Sequence, residues 1–506
     1  MTIQNISGRE EIDTMYNLKM WINGEFVEAQ SGKTYSVVNP ATEEKIARLP
    51  QGDKADVDKA VAAAKAAFPI WSKKSQMERS LILNKVSDIL LDYSDELGKL
   101  ECLDHGIPIN SALWMGKMPG WAIRGAAEMA KNVMGEVAPR SSSALIYMQR
   151  EPIGVCGLIT PWNVPLVMAA SKLSACLAMG NTCVLKPPSI DSVSTLKLAE
   201  ALAKSDLPKG VVNIISGPGG LVGEALSAHP DVRMVSFTGS SETGKRIMEV
   251  GSCNMKRLTL ELGGKNPFIV LEDADIDSAV QCAVHSNFFN SGQICASPGR
   301  YYLHEKIYEE FVVKFTVAAK KVVVGNPMDP KTQMGPVVSR EHRDRIEDYI
   351  KSGVEEGAKL VLGGKRPTAP PLDKGYYVMP TVFTGVTLDM RIGREETFGP
   401  VAYIMDKFSS EEKALESVND NNYGLCGSVW TKNTARGMKL AEGIQAGVVW
   451  INEHMLMSQE IPWGGIKESG IGRENTSLAL EEYSQLKVVY VNLTEMKNRT
   501  WKWVLE

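Results

Sequence analysis

The fold follows from five short apolar segments: GVCGLI (154–159), TCVLK (182–186), GVVNIIS (210–216), VRMVSF (232–237) and RLTLELG (257–263). Each segment has the length and the β-branched content of a strand. The residues between them at 192–205 and 221–228 carry apolar side chains at helical spacing. Strands that alternate with helices predict a parallel sheet with crossover helices, and therefore an α/β fold.

Helical and strand patterns continue on both sides of these segments. Residues 54–97 carry apolar side chains at helical spacing and predict helices. The alternating residues Lys487–Leu493 predict a final strand that can join the edge of another sheet. Between these regions a second α/β series predicts helices and strands at 276–287, 307–323, 341–356, VAYIMD (401–406) and GSVWT (427–431).

The composition is that of an ordinary globular protein. Of 506 residues, 44% are hydrophobic and 23% are charged, and the net charge of −4 argues against nucleic-acid binding. Eight cysteines without a CxxC pair, and six histidines, argue against disulfides and a metal site. Residues 1–14 are too polar for a secretory signal, and no segment reaches about 18 uninterrupted apolar residues. We therefore expect a soluble cytoplasmic protein that contacts no membrane.

Two glycine-containing turns suggest a phosphate-binding site. GPGGLVG (217–223) and FTGSSETGK (237–245) each lie between a predicted strand and a predicted helix. Glycines at such a turn let the backbone approach a phosphate, which the helix N-terminus then faces. The spacing of the first turn departs from GxGxxG, and an ordinary strand-to-helix turn is the alternative for either one. Two such turns in succession favour a dinucleotide site.

Cys295 is the candidate nucleophile among the cysteines. It lies in FFNSGQICASPGR (288–300), a glycine-containing loop that a substrate can reach, whereas Cys282 lies on an apolar helix face and is expected in the core. A free cysteine is commonly a buried small hydrophobe, so position alone leaves the structural alternative open. A nucleophilic role requires the thiolate. No histidine lies within the motif, which argues against a Cys–His pair.

Glu261 is the candidate general base. It ends an apolar strand in LTLELGGKNP (258–267) and precedes two glycines. Its carboxylate lies either in solvent, which the residue alone favours, or in a cleft. Partial burial would raise its pKa and suit it to base catalysis.

Taken together, seven motifs resemble those of the aldehyde dehydrogenase superfamily, in the same order, from about Met20 to Leu493. They are TPWN (160–163), KPP (186–188), FTGS (237–240), LELGGKNP (260–267), GQIC (292–295), EETFGP (395–400) and PWGGIKESGIGRE (462–474). The resemblance implies oxidation of an aldehyde to a carboxylic acid with NAD or NADP. It also implies three units: a Rossmann-like cofactor domain, an α/β catalytic domain and a small β oligomerisation arm. Their expected bounds are 1–133 with 153–264, then 265–480, and 134–152 with 481–506.

The resemblance assigns the catalytic roles by position. Cys295 attacks the aldehyde carbon, and the Asn163 side-chain amide with the Cys295 backbone N–H forms an oxyanion hole. Hydride passes to the nicotinamide, and water activated by Glu261 hydrolyses the resulting thioester. Lys172 and Glu474 are implied to relay the proton outward. The arm implies a homodimer or a homotetramer.

The resemblance also assigns the cofactor contacts. Lys186 is implied to bind the adenosine ribose, Gly239 and Ser240 the pyrophosphate, and Glu396 the nicotinamide ribose. Ser189 stands where many NAD-preferring relatives have glutamate, which predicts that NADP is accepted beside NAD unless Ser189 only caps the next helix. The other positions expected to line this cleft are Ile159, Trp162, Gly223, Phe237 and Phe398.

The implied substrate pocket is apolar and contains few large aromatic residues on its first wall, 164–171. It predicts a roomy, adaptable pocket for a hydrophobic aldehyde, aromatic or medium-chain, although such residues can equally be ordinary core. No lysine or arginine outside the motifs marks an anchor for a substrate carboxylate. The pocket positions are Val164, Met168, Ser171, Met457 and Trp463.

Two other functions compete with this prediction. In CoA-acylating semialdehyde dehydrogenases, CoA rather than water resolves the thioester, and those relatives lack a glutamate at the position of Glu261. A non-catalytic homologue kept for binding or structure is the second alternative. The presence of Cys295, Glu261 and Asn163 together argues against it.

Overall fold

The computed structural model describes residues 16–139, 141–499 and 501. The expectation of no secretory signal concerns residues 1–14, which lie outside the described residues, as do residues 502–506 of the expected arm. The strands are β1 Tyr16–Asn17, β2 Met20–Ile22, β3 Glu25–Val27, β4 Thr34–Val38, β5 Lys45–Pro50, β6 Glu136–Val137, β7 Ala144–Pro152, β8 Val155–Ile159, β9 Thr182–Lys186, β10 Val212–Ile214, β11 Val232–Thr238, β12 Arg257–Glu261, β13 Asn266–Val270, β14 Pro298–Leu303, β15 Lys359–Leu362, β16 Thr381–Val386, β17 Val401–Met405, β18 Cys426–Trp430, β19 Val448–Ile451, β20 Gly470–Ile471 and β21 Ser484–Asn492.

The helices connect these strands and cover the sheets. One π-helical turn, Gly219–Gly223, leads directly into α8. The α-helices are α1 Lys54–Ser72, α2 Gln76–Asp92, α3 Ser94–His105, α4 Ile109–Met115, α5 Met118–Ala130, α6 Pro165–Ala178, α7 Val193–Leu202, α8 Glu224–Ala228, α9 Ser241–Gly251, α10 Ile276–Phe288, α11 Tyr308–Lys320, α12 Arg340–Glu355, α13 Arg391–Arg394, α14 Glu411–Asn419, α15 Thr434–Gly443 and α16 Thr476–Glu482.

The first sheet confirms the predicted α/β fold. Its strand order is β20-β12-β11-β8-β9-β10-β2-β3, and the run from β12 to β10 is parallel. Every residue of β8 and β9 is buried, as expected for parallel strands covered on both faces. Apolar residues of α2, α5, α6 and α7 form the core on one face. Residues of α1, α8 and α9 form the core on the other.

A second sheet follows along the chain, in the order β15-β16-β17-β14-β13-β18-β19. All its strand pairs are parallel except β15 with β16. Helices α10 and α11 pack on one face, and α12, α14 and α15 on the other. This unit therefore repeats the layered α/β construction of the first, as the sequence predicts. In the part of the chain that is described, no helix has the length and apolarity to cross a membrane.

The last segment of the chain returns to the first sheet. Gly470 and Ile471 of β20 pair antiparallel with Glu261 and Leu260 of β12. The expected boundary at residue 480 therefore falls after a strand that belongs to the first sheet. The strand predicted at 487–493 runs from Ser484 to Asn492 as β21, and it pairs with β7 of the same chain over nine residues.

The helix-capping alternative for Ser189 is wrong. Helix α7 begins at Val193, and Ser192 occupies its N-cap position without a side-chain hydrogen bond. The backbone N–H of Val193 instead donates to Asp104 Oδ2. Ser189 donates its hydroxyl to the carbonyl oxygen of Gly217 at 3.0 Å, which links the loop after β9 to the first glycine-containing turn.

Candidate active site

The carboxyl ends of the parallel strands bring several predicted residues to one edge of the first sheet. Ile159 at the end of β8 is in register with Lys186 at the end of β9 and with Phe237 of β11. Thr238 is in register with Glu261 at the end of β12. Ligands of open α/β sheets bind at this edge, where the loops leave the strands.

The Cys295 loop lies between a 3₁₀ turn, Phe289–Gly292, and strand β14. Asn266 holds it, because its Nδ2 donates to the carbonyl oxygens of Cys295 at 2.7 Å and Ser297 at 2.8 Å. Gly292 has φ +72°, and a Cβ there would lie 2.1 Å from the carbonyl oxygen of Gly399. The thiol thus lies in a non-helical loop that is fixed on both sides, whereas Cys282 lies on α10 against the core.

The side chain and the backbone carbonyl of Asn163 are both hydrogen-bonded to the segment that carries Cys295. Its Nδ2 donates to the carbonyl oxygen of Gln293 at 2.8 Å, and its own carbonyl accepts from Asn290 Nδ2 at 2.8 Å. Asn163 is buried. An amide nitrogen carries two hydrogens, and the bond to Gln293 uses only one of them.

Burial raises the pKa of the Cys295 thiol, and the nearby carboxylates of Glu396 and Glu261 raise it further. A histidine does lie close in space, although the motif contains none. His454 donates from Nε2 to the Ala296 carbonyl at 2.8 Å and lies 2.9 Å from Ser428 Oγ through Nδ1. Burial lowers its pKa to about 4. Since both ring nitrogens are occupied, His454 supports the loop and is not a base for the thiol.

Glu261 is buried, which corrects the solvent-exposed alternative favoured by its sequence context. Burial and the neighbouring Glu474 raise the pKa of this carboxyl well above its usual range, and Lys172 opposes the shift. Its Oε2 has no hydrogen-bond partner among the described residues. A Cβ on Gly464 would lie 2.9 Å from Oε1, so the backbone passes close to the carboxyl. This arrangement suits a group that exchanges protons.

Lys172 and Glu474 form a buried ion pair beside Glu261. The Lys172 ammonium donates to Glu474 Oε1 and, at 3.0 Å, to Ser236 Oγ. Ser171, expected in the substrate pocket, donates to Glu474 Oε2 at 3.0 Å. Ser171 is therefore part of this polar network.

The predicted adenosine and pyrophosphate residues lie around the two glycine-containing turns. Lys186 is buried, which lowers its pKa to about 8, and its Nζ donates to the Pro187 carbonyl. A Cβ on Gly223 would come no closer than 3.9 Å to the Lys186 side chain. The Phe237 ring covers Gly239, and Ser240 caps α9 by accepting from Thr243 N–H.

The predicted nicotinamide residues come from the second unit and face the first. Glu396 accepts from the Gly264 N–H at 3.0 Å, and burial raises its pKa to about 7. Phe398 has φ +58°, and its ring centroid lies 5.3 Å from that of Trp162. His342, which the sequence patterns did not single out, lies 2.7 Å from the Phe398 carbonyl oxygen through Nε2.

Apolar side chains pack around Cys295 in a cluster that the sequence predicts only in part. Val164 and Trp463 pack in the same cluster as Cys295, and Met168 lies one turn beyond Val164 on α6. Met457 is 46% exposed at the protein surface. Sequence reasoning missed the other members of this cluster, which are Phe289, Ile294, Ala296, Leu425, Cys426, Val448, Trp450 and Met455.

Comparison with known proteins agrees with this geometry. The sequence model described as "Aldehyde dehydrogenase family" matches residues 26–489. The chain is 42% identical over 479 residues to betaine aldehyde dehydrogenase of Bacillus subtilis (strain 168), covering 94% of this chain and 97% of that protein. It is 43% identical over 481 residues to retinaldehyde dehydrogenase 3 of Homo sapiens, covering 94% and 93%. The solved NAD+ complex of aldehyde dehydrogenase from Bacillus cereus matches with TM-score 0.92 at 42% identity, covering 94% and 97%.

The fold and the loops at the carboxyl edge of the first sheet are typical of dinucleotide-binding α/β proteins. The chain belongs to the aldehyde dehydrogenase family. It is an NAD(P)-dependent enzyme that oxidises aldehydes, as the sequence predicts.

Proposed function

We propose that the enzyme converts an aldehyde to its carboxylic acid through a thioester on Cys295. The observation that carries the proposal is that Asn163 and Glu261, from two separate segments, lie around the partly buried thiol loop of Cys295. Attack of the Cys295 sulfur on the carbonyl carbon produces an oxyanion. The second amide hydrogen of Asn163 and the Cys295 backbone N–H stabilise that charge.

Glu261 acts as the base for water in the second half of the reaction. Its raised pKa makes it a better proton acceptor than an ordinary carboxylate, and the Glu474–Lys172 pair provides a path for that proton away from the thioester. Hydrolysis restores the Cys295 thiol and releases the acid. A CoA-acylating reaction needs no such base, and the buried carboxyl beside Cys295 therefore favours water over CoA.

The residues at the sheet edge fit a dinucleotide. A Cβ on Gly219 or Gly220 would meet no atom within 4 Å, so the backbone of this turn is open to a phosphate group. Lys186 would hold the adenosine ribose, and the turn that contains Gly239 and Ser240 would lie next to the pyrophosphate, with Gly223 giving backbone access. Bound NAD(P) supplies the hydride acceptor. Glu396 would hold the nicotinamide ribose, and Phe398 with Trp162 excludes water from the ring.

Ser189 supports the use of both coenzymes. Its side chain is small and uncharged, and it donates to the Gly217 carbonyl. Since no carboxylate occupies this position, nothing there repels a 2′-phosphate, and the Lys186 ammonium is close along the same loop. We propose that NADP and NAD are both substrates.

The substrate is a hydrophobic aldehyde, aromatic or medium-chain. Phe289, Trp450, Trp463 and Met455 pack with Val164 around Cys295, which makes the pocket more aromatic than its sequence suggests. This feature also supports a second candidate, a quaternary-ammonium aldehyde, because cations bind to aromatic faces. The neighbour from Bacillus subtilis carries the name betaine aldehyde dehydrogenase.

A spectrophotometric screen of aldehydes with NAD and NADP tests these proposals. Absorbance of the reduced coenzyme is followed with benzaldehyde, hexanal, betaine aldehyde, acetaldehyde and succinate semialdehyde, each with and without CoA. Highest kcat/KM for benzaldehyde or hexanal, unchanged by CoA, supports the first candidate. Highest kcat/KM for betaine aldehyde supports the second. Dependence on CoA contradicts hydrolysis, and no turnover of any aldehyde favours the non-catalytic alternative.

We propose that the enzyme is a cytoplasmic homo-oligomer and that each chain is built from three structural units. We retain the three-unit division, with the β20 segment assigned to the cofactor domain because it pairs with β12. Strand β21 is an edge strand whose Val488 and Tyr490 are exposed, and it offers a surface for a homodimer or homotetramer. All eight cysteines are free thiols, which fits the reducing cytoplasm. Sedimentation equilibrium of the purified enzyme tests the assembly.

A further inference from the structure

His105 lies outside the residues that the proposed chemistry uses, yet it is buried beside them. It is the last residue of α3, and its ring centroid lies 6.2 Å from that of Trp162. Three buried carboxyl groups surround it: Glu101, Asp104 and Asp191. Such a cluster of polar groups is costly to bury unless its members are hydrogen-bonded or paired.

A chain of hydrogen bonds connects His105 to the oxyanion hole. His105 Nε2 lies 2.7 Å from Asn290 Oδ1, and Asn290 Nδ2 donates to the Asn163 carbonyl at 2.8 Å. The Asn290 carbonyl accepts from Gln293 Nε2, and the Gln293 carbonyl accepts from Asn163 Nδ2. Asn290 therefore joins His105 to both ends of Asn163.

The directions of these bonds fix the state of the imidazole. The Asn163 carbonyl can only accept, so the Asn290 amide nitrogen faces it and the Asn290 oxygen faces His105. Nε2 must then donate. Burial lowers the pKa of His105 and raises that of Asp191, whose Oδ2 lies 3.3 Å from Nδ1. The imidazole therefore presents its Nε2–H to Asn290, while Nδ1 faces the Asp191 carboxyl.

The bond to His105 supports a strained turn. Asn290 has φ +51° and Ser291 has φ +56°, both in the left-handed region. Residues in this region are strained and persist only where neighbouring groups hold them. The strained turn is four residues before Cys295 and directly contacts Asn163, so its conformation determines where the oxyanion donors lie.

We propose that His105 is a positioning residue for the oxyanion hole: its Nε2–H holds Asn290, and Asn290 holds Asn163. This inference rests on the proposed role of Asn163. It concerns the geometry of the donor, and His105 itself touches neither substrate nor coenzyme.

The test measures single-turnover reduction of NAD by the full-length enzyme, normalised to the titre of reactive Cys295 thiol. His105→Leu removes the donor at similar size, and His105→Gln keeps an amide N–H near the Nε2 position. We expect a rate about tenfold lower for His105→Leu, as for loss of one buried hydrogen bond, and recovery of most of it in His105→Gln. The KM for NAD should stay within about twofold of the wild-type value.

A double-mutant cycle separates positioning from a general loss of structure. In the Asn163→Ala background, His105→Leu should have no further effect on the normalised rate, because the Asn163 side chain through which His105 acts is absent. Equal losses in both backgrounds, or a His105→Gln rate as low as that of His105→Leu, would overturn the proposal. A wild-type rate for Asn163→Ala would instead contradict the proposed oxyanion hole, and with it this inference.

A second variant covers the case in which His105→Leu does not fold. Asn290→Gly removes the connecting side chain and suits a left-handed backbone. The positioning role predicts the same drop of about tenfold in the normalised rate, absent when Asn163 is already alanine. A wild-type rate for Asn290→Gly would contradict the proposal.

Discussion

The Lys172 ammonium donates a hydrogen bond to the carboxylate of Glu474, a residue 302 positions further along the chain. The two side chains are 0% and 8% exposed. The pair joins α6 of the first sheet to the segment that follows β20. The pair also affects the pKa of Glu261, because the carboxylate of Glu474 raises that pKa and the ammonium of Lys172 lowers it. The protonation of Glu261 therefore depends on two residues that lie about 300 positions apart in the chain.

Changing Glu474 to Gln should shift the pH dependence of steady-state turnover. A base acts when deprotonated, and the pKa of Glu261 is raised, so turnover should fall with decreasing pH well above the usual carboxyl range. Glu474→Gln removes a negative neighbour, lowers the pKa of Glu261 and should move the acid limb of kcat down by roughly one pH unit. Ser171→Ala is the matched control, since it removes a hydrogen bond to Glu474 without a charge. An acid limb that stays in place would mean that another group limits turnover.

Replacing Cys295 by Ala should abolish acid formation. The thiol lies in the loop to which Asn163 is hydrogen-bonded, whereas the other cysteines lie in helices, in strands or, for Cys253, in an exposed 3₁₀ turn. Cys282→Ala and Cys102→Ala are the controls, and both should retain most activity because these thiols lie on helices. Coenzyme reduction by Cys295→Ala at the wild-type rate would falsify the thioester mechanism.

Glu261→Gln should slow deacylation more than acylation. The amide keeps the shape of the side chain but cannot accept a proton from water, so the thioester should accumulate. Stopped-flow absorbance should then record a burst of reduced coenzyme near one per active site, followed by a slow steady state. Loss of the burst together with the steady state would show that Glu261 is needed earlier, to generate the thiolate.

The coenzyme prediction concerns Ser189. Wild-type kcat/KM values for NAD and NADP should lie within about tenfold of each other, or roughly 1.4 kcal/mol. Ser189→Glu should weaken NADP selectively, because its carboxylate would face the 2′-phosphate. Ser189→Gln is the uncharged control of the same length. Strong NAD selectivity in the wild type, unchanged in Ser189→Glu, would show that other residues determine the choice.

The sequence predicts the parallel strands well because each is an uninterrupted apolar segment between turns. It also makes Cys295 a candidate from its own loop, and Asn163 a candidate through the family motif, because both motifs are local. It does not predict His454 beside the thiol loop or Asn266 beneath it, because those contacts join residues far apart in the chain. Glu261 illustrates the limit: its own segment favours exposure, and its burial comes from the Gly464 and β20 segments about 200 residues later.

The pairing of β20 with β12 has a consequence for the order of folding. Strand β12 carries Glu261 at its end, and one of its neighbours lies at residues 470–471, after the whole second sheet. During synthesis this edge stays unpaired until the ribosome has made nearly the entire enzyme, and non-local pairing of this kind is slow. The nascent cofactor domain thus exposes an open strand edge, a target for chaperones and a risk for aggregation, until the C-terminal segment closes it.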